Sequence, residues 1–266
     1  MTAYEKLKAV RAANRPKGSD FVNALFTDSL FLCGDRRYAD DPAILGGIGY
    51  LGSLPVTFIA IDKGQDLSER MKKHFGCPMP EGYRKALRLM KQAEKFGRPV
   101  ICLVDTLGAY CGAEGEERGQ GQAIAENLTE LMGLKTPVIS IVIGEGGSGG
   151  ALALAVADRV YMLENAVYSV ISPDGCASII WKDAAKVKDA ADCLHITAQD
   201  MLHFGVADGI IDEDFDHFDR MCAGMREKLL ADLQGLCTAH TDELLENRYL
   251  RFRKIGIYEE NGSIQR

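Results

Sequence analysis

The 266 residues include eight cysteines but not one C-x-x-C pair, so a zinc ribbon has no ligands to build on. Cys33, Cys77, Cys102, Cys111, Cys176, Cys193, Cys222 and Cys237 are scattered, which suits reduced thiols in a core rather than a disulfide framework. The five histidines (His74, His195, His203, His217, His240) show no ligand spacing on a helix face, and no metal is expected in this chain. No uninterrupted apolar run approaches about 18 residues, which argues against a membrane helix. The opening Met1-Thr2-Ala3-Tyr4-Glu5-Lys6 lacks the apolar region of a secretion signal, so a cytoplasmic location is expected. Positive charge is also in deficit. The net charge of −7, without a basic stripe interleaved by aromatics, argues against a nucleic-acid partner.

Glycine, by contrast, is concentrated. The run Val138-Ile139-Ser140-Ile141-Val142-Ile143 meets Gly144-Glu145-Gly146-Gly147-Ser148-Gly149-Gly150, followed by the alanine- and leucine-rich Ala151 to Ala157. That pattern predicts a buried strand, a glycine loop and a buried helix. A loop almost bare of side chains lets helix-start amides approach a ligand and face a developing negative charge. The loop does not close with the Gly-Lys-Ser/Thr of a phosphate loop, and it lacks the spacing of a dinucleotide fingerprint. Three uses remain: a main-chain oxyanion hole, a serine nucleophile, or simple close packing of helix on strand. The nucleophile reading takes Gly146 to Gly150 as G-x-S-x-G with Asp212 and His240 downstream.

The same architecture recurs. Pro55 leads Val56 to Ile61 into Asp62-Lys63-Gly64, and Pro99 leads Val100 to Val104 into Asp105-Thr106-Leu107-Gly108. Pro137 opens the third copy. Between these runs, Glu81 to Phe96 carries Tyr83, Leu87, Met90 and Ala93 at helical spacing with Gly97 as its stop, and Glu116 to Gly133 reads as a second helix. Strands apolar on both faces and alternating with helices imply a parallel α/β sheet with helical cover.

Several strings resemble the alpha subunit of the bacterial acetyl-coenzyme A carboxylase carboxyltransferase. They include Gly34-Asp35-Arg36, Asp40-Asp41-Pro42-Ala43-Ile44, Phe75-Gly76 and Pro80 to Met90. They continue through Gly108-Ala109-Tyr110, Glu116 to Gln120, Ile143 to Ala153, Tyr168 to Pro173, Gly175 to Ile179, Trp181-Lys182 and Asn247-Arg248-Tyr249. The resemblance spans roughly residues 20 to 256. It implies a crotonase-type spiral of repeated ββα units, a single domain with C-terminal helices, that works beside a beta subunit of zinc-ribbon type. The missing ribbon here agrees with the alpha side.

The resemblance further implies carboxybiotin on a separate biotin carrier protein, charged by a separate ATP-using biotin carboxylase, and transfer to acetyl-CoA to give malonyl-CoA. The alpha-side oxyanion hole maps onto the amides of Gly149 and Gly150, with Gly146, Gly147 and Ser148 in the same loop. Gly108, Ala109 and Tyr110 form the companion loop expected at neighbouring strand ends. Lys63, Arg84 and Lys85 are candidate contacts for carboxybiotin or substrate, against the alternative of a solvated basic face. Glu116-Glu117-Arg118-Gly119 reads most simply as the acidic first turn of a helix.

The chain departs from the family pattern at Leu107, where proline is usual, at Ile61-Asp62, at Asp174 and at Asp212-Glu213-Asp214. Those departures leave another acyl-CoA substrate, of propionyl or glutaconyl type, or a non-catalytic paralogue as alternatives. Residues 1–28 read as a short helix and linker, 29–217 as the carboxyltransferase core, and 218–266 as a C-terminal helical segment of the same domain. Its apolar positions, Met221 to Leu236 and Leu244 to Phe252, would serve either subunit contact or folding back onto the core.

Overall fold

The proline-led runs become neighbouring strands in the middle of one mixed sheet. The computed structural model describes residues 1–256 fully and, beyond them, only the backbone of 258–260 and 263–265. The chain opens with helices α1 (Ala3–Val10) and α2 (Gly18–Leu25), strands β1 (Thr27–Phe31), β2 (Ile44–Leu51) and β3 (Leu54–Ile61), then α3 (Leu67–Lys72) and α4 (Pro80–Phe96). Next come β4 (Val100–Thr106), α5 (Ala113–Glu117), α6 (Gln120–Met132), β5 (Val138–Gly147), α7 (Ser148–Leu152), β6 (Arg159–Leu163), β7 (Val167–Ser169) and α8 (Pro173–Ile180). It closes with α9 (Val187–Cys193), α10 (Ala198–His203), β8 (Gly209–Ile211), α11 (Phe218–Thr238), α12 (Thr241–Arg253), β9 (Tyr258–Glu260) and β10 (Ser263–Gln265).

The sheet order is β1-β2-β3-β4-β5-β6-β8, antiparallel as far as β3 and parallel from there on. Every residue of β4 and β5 is buried, as a strand with cover on both faces requires. β5 changes partner along its length. Ile139 to Val142 pair with β6, whereas Glu145 to Gly147 pair with β7, so the sheet turns a corner where the glycine loop begins. This is the step of a crotonase-type α/β spiral.

Helix α4 forms where the sequence predicts it. Pro80 sits at the first helical turn, where its missing N–H costs nothing, and Gly97 ends the helix in the left-handed conformation at φ 64°. Its Tyr83, Ala86, Leu89, Met90 and Ala93 are fully buried.

Three helix expectations need correction. The stretch from Glu116 to Gly133 is two helices, because Gly119 takes φ 82° and breaks the ladder. The helix expected through Ala157 stops at Leu152. There the amides of Leu154 and Ala155 bond only three residues back, to Ala151 and Leu152, and the chain turns into β6. Past Arg253 the described backbone is no longer helical but forms the β9–β10 hairpin, while residues 257, 261, 262 and 266 of the expected helical segment lie outside the described residues.

The flanks are tied to the core. In the amino-terminal flank, α2 buries Phe21, Val22 and Leu25 completely, and Ser19 donates from both its N–H and its hydroxyl to Asp62 at 3.0 Å. Phe218 of α11 meets Phe21 edge-on at 5.0 Å. Arg248 of α12 is fully buried; its guanidinium holds both oxygens of Asp158 at 2.8 Å and donates to the carbonyls of Leu131, Leu134 and Thr136. Both C-terminal helices therefore fold back onto their own domain.

Candidate functional site

The glycine loop is pressed against the companion loop so closely that side chains are excluded. A Cβ at Gly147 would lie 2.1 Å from the Leu107 carbonyl oxygen, and one at Gly150 would lie 2.5 Å from the Ala109 nitrogen. A Cβ at Gly146 would meet the Tyr168 ring at 2.7 Å. Gly108 itself needs φ 149°, and Thr106 pins it by donating to its carbonyl at 2.8 Å and accepting from its N–H at 3.0 Å. Gly108 and Ala109 therefore lie where the strand-end argument expects them. From α4, the buried Tyr83 hydroxyl donates to the Gly150 carbonyl at 3.1 Å, and burial keeps that phenol well above its ordinary pKa, so it stays a donor.

Gly149 differs from its neighbours, since a Cβ there would only touch Ile124 at 3.7 Å. No side chain caps α7, and among the described residues neither Gly149 nor Gly150 donates its N–H to a group outside the helix. Because α7 has only five residues, its macrodipole is small, and the local N–H groups supply most of the positive potential. Ser148 and Gly149 line a mostly apolar cavity of about 530 Å³ that also involves Leu152, Tyr168, Val170 and Met201.

Tyr110 is held from three sides. Its N–H donates to Pro78 at 3.0 Å, its ring stacks obliquely on His74 at 4.7 Å, and the Gln120 amide donates to both the Pro78 and Tyr110 carbonyls at 2.7 and 3.0 Å. His74 and Phe75 both take left-handed φ values, 47° and 56°. Two consecutive strained residues beside a loop are a feature of functional sites. Gln120 and His74 escaped the sequence reading. Gln120 was present in the Glu116–Gln120 string, but His74 gave no signal of its own.

The cationic candidates are already engaged. Lys63 Nζ sits 2.6 Å from Asp105 and 3.5 Å from Glu145, and Asp105 also accepts the Glu145 N–H at 2.8 Å. Arg84 holds Asp35 at 2.7 Å and the Arg118 carbonyl at 2.9 Å. Lys85, only 2% exposed, holds Asp40 at 2.6 Å and the Asp41 carbonyl at 2.7 Å. Arg84 and Lys85 thus fix the 33–41 loop onto α4; they are neither a solvated face nor drawn together with the glycine loop. Arg118 closes this network by reaching Glu81 at 3.2 Å.

Ser148 is exposed and takes a left-handed φ of 49°, but among the described residues no histidine hydrogen-bonds to it as a triad requires. His240 stands in solvent beside Asp242 at 3.8 Å, and among the described contacts neither it nor Asp212 bonds to Ser148. Cys77, near the loop, has its thiol pushed up to about 11 by burial, so it stays protonated. Among the described residues, no group of three or more His, Cys, Asp or Glu is placed to hold a metal. What the arrangement offers is main-chain N–H donors at the mouth of an apolar cavity, a means of stabilising negative charge rather than of attacking a bond.

The comparisons with known proteins agree with this geometry. A family model described as acetyl co-enzyme A carboxylase carboxyltransferase-like matches residues 1–256. The chain is 54% identical over 257 residues to the acetyl-coenzyme A carboxylase carboxyl transferase subunit alpha of Ruminiclostridium cellulolyticum, covering 97% of this chain and 99% of that one. It is 51% identical over 268 residues to the subunits beta/alpha protein of Natranaerobius thermophilus, covering 99% of this chain and 44% of that longer one. Among solved structures, transcarboxylase 12S, with methylmalonyl-coenzyme A bound, superposes with a TM-score of 0.71 at 20% identity, covering 88% of this chain and 45% of that one, which speaks to fold alone. With the family model spanning nearly the whole chain and an alpha subunit matched end to end, this chain belongs to the acetyl-coenzyme A carboxylase carboxyltransferase family, on its alpha-subunit side.

Proposed function

We propose that this chain, beside a beta-type subunit, transfers the carboxyl group of carboxybiotin, carried on a biotin carrier protein, to acetyl-CoA to form malonyl-CoA. The observation that carries the reading is the pair of amides at Gly149 and Gly150, uncapped at the start of α7, with Gly149 opening onto the apolar cavity of about 530 Å³. That volume suits a small bicyclic ring and its aliphatic arm, and the apolar lining suits their chemistry. When bound, biotin supplies the carboxyl group and, once relieved of it, a ring nitrogen able to take a proton. Gly149 and Gly150 would donate to the ureido oxygen as negative charge grows there, and Gly146, Gly147 and Ser148 would set their direction. Gly108, Ala109 and Tyr110 would form the facing wall, shielding the site from water. Lys63 positions β4 against β5 through Asp105 and Glu145, while Arg84 and Lys85 position α4, so these three act on the site through other residues.

A beta partner is supported by the relative in which beta and alpha parts share one chain. A biotin carboxylase that uses ATP would recharge the carrier. No described helix is long and apolar enough to cross a membrane, and we place the reaction in the cytoplasm. The test is to purify the chain alone and with its beta partner, then follow malonyl-CoA decarboxylation with a free biotin derivative as acceptor. Activity is expected only from the pair. Activity from the chain alone, or none from a well-formed pair on any acyl-CoA, would overturn the reading.

A further inference from the structure

A second cavity, of about 510 Å³, lies at the carboxyl ends of β3, β4 and β5, lined by Leu107 of the companion loop and Glu145 of the glycine loop among others. Five cations line it, Arg11, Arg15, Lys17, Lys63 and Arg70, against the carboxylates of Asp105, Glu145 and Asp174. Three of the five are compensated. Arg11 pairs with Glu145 at 3.0 Å and Asp174 at 3.2 Å, Lys63 with Asp105 at 2.6 Å, and Arg15 with Glu213 at 2.5 Å.

Lys17 and Arg70 are not. Among the described residues no carboxylate lies within 4.0 Å of the Lys17 ammonium or the Arg70 guanidinium, although the Lys17 backbone N–H donates to Asp20 at 2.7 Å. Lys17 is only 4% exposed; its ammonium donates to the Ala13 carbonyl at 3.0 Å and to the Arg15 carbonyl, which leaves one of its three donors unused. Among the described residues the guanidinium of Arg70 makes one hydrogen bond, to the Gly64 carbonyl at 3.5 Å, the outer limit of such a bond. Burial first, and then Arg70 and Lys63, lower the pKa of Lys17, while the more distant carboxylates of Asp105 and Asp20 partly oppose them. A buried ammonium without a carboxylate in contact is costly, and a ligand that brings a negative charge close relieves that cost.

We propose that this cavity binds a phosphate-class oxyanion, held by Lys17 and Arg70. A phosphate has oxygens enough to accept from the Lys17 ammonium and from the guanidinium of Arg70 at once, and the cavity lining carries more cations than carboxylates. The volume is that of a ligand-sized site rather than of a bare ion. Such a phosphate would come either from the nucleotide end of a coenzyme A thioester, a source that rests on the carboxyltransferase reading, or from free phosphate, which does not.

The test is calorimetric titration of the full chain at low salt with adenosine 3′,5′-bisphosphate, inorganic phosphate and adenosine. At least one phosphate ligand should bind, adenosine should not, and rising salt should weaken the binding. Arg70→Ala, which loses only one marginal contact in the fold, should bind about tenfold or more weakly, in line with loss of a charge-assisted bond. Lys17→Met should do the same if its unfolding profile matches the original. Tighter binding of the bisphosphate assigns the nucleotide end, and equal binding of phosphate assigns the free ion. Absence of binding by both ligands, or unchanged affinity in Arg70→Ala, overturns the proposal. Because the titration needs neither partner nor acyl donor, its failure leaves the carboxyl-transfer reading standing, and the reverse holds too.

Discussion

Adjacent glycines at the start of α7 should respond in opposite ways to the same added methyl group. In Gly150→Ala the new Cβ would lie 2.5 Å from the Ala109 nitrogen, 2.8 Å from the Gly108 carbonyl carbon and 2.8 Å from the Tyr83 hydroxyl. Two of those neighbours are backbone, so the 107–109 loop must retreat by roughly an ångström, and overpacking of that kind costs about 1–3 kcal/mol. At about 2–4 °C per kcal/mol for a chain of this size, the Tm should fall by about 2–12 °C. Displacing one wall of a reacting site by about 1 Å also costs on the order of a hundredfold in turnover. In Gly149→Ala the Cβ meets only Ile124 at 3.7 Å, an ordinary contact, and replacing a helical glycine gains about 0.4–1 kcal/mol. Scanning calorimetry on the chain, followed by the decarboxylation assay with the beta partner, separates the two cases. Equal melting temperatures and equal rates for the two variants would refute the packing argument.

Ser148→Gly removes both the hydroxyl and the left-handed strain at φ 49°, so turnover should stay within about threefold and stability should rise by up to about 1 kcal/mol; a loss of several decades would instead restore the nucleophile reading. Burial pushes Asp41 up to about 6 from 3.8, so its stabilising contribution is full below about 3.8 and lost as pH rises through about 6. Urea unfolding of the original chain and of Asp41→Asn should then differ by up to about 3 kcal/mol more in favour of the original at pH 4 than at pH 7; a pH-independent difference would contradict that assignment. Arg248→Met leaves Asp158 and three carbonyls without their donor and should cost about 3–5 kcal/mol, seen as a large drop in the urea midpoint; a shift below about 1 kcal/mol would show that the clamp contributes little.

The sheet and the long α4 were legible because their signals are local. Apolar runs, a leading proline and a terminating glycine all lie within the segment they shape. Helix lengths around the site were less legible. Gly119 breaks a helix only because it adopts φ 82°, and residues 151–157 are helical in composition but must turn early so that Asp158 can accept from the Val138 N–H at 2.7 Å. The contact between the two glycine-bearing loops was inferable, since both leave adjacent parallel strands at the same end. The commitment of Arg84 and Lys85 was not, because their partners Asp35 and Asp40 lie 49 and 45 residues earlier. Lys17 and Arg70 carried no signal at all, since what distinguishes them is the carboxylates they lack.

The hold of Arg11 on Glu145 gives the amino-terminal helix a mechanical role. Glu145 is gripped by Arg11 on one side and Lys63 on the other, and it stands two residues before Gly147 in the same strand. A tug on α1, whether from a neighbouring subunit or from shortening the chain, would pass through one ion pair and then along four peptide units to the Gly149 amide at the helix mouth. The end of the first helix is thus tied to the strand that carries the glycine loop by one partly exposed ion pair.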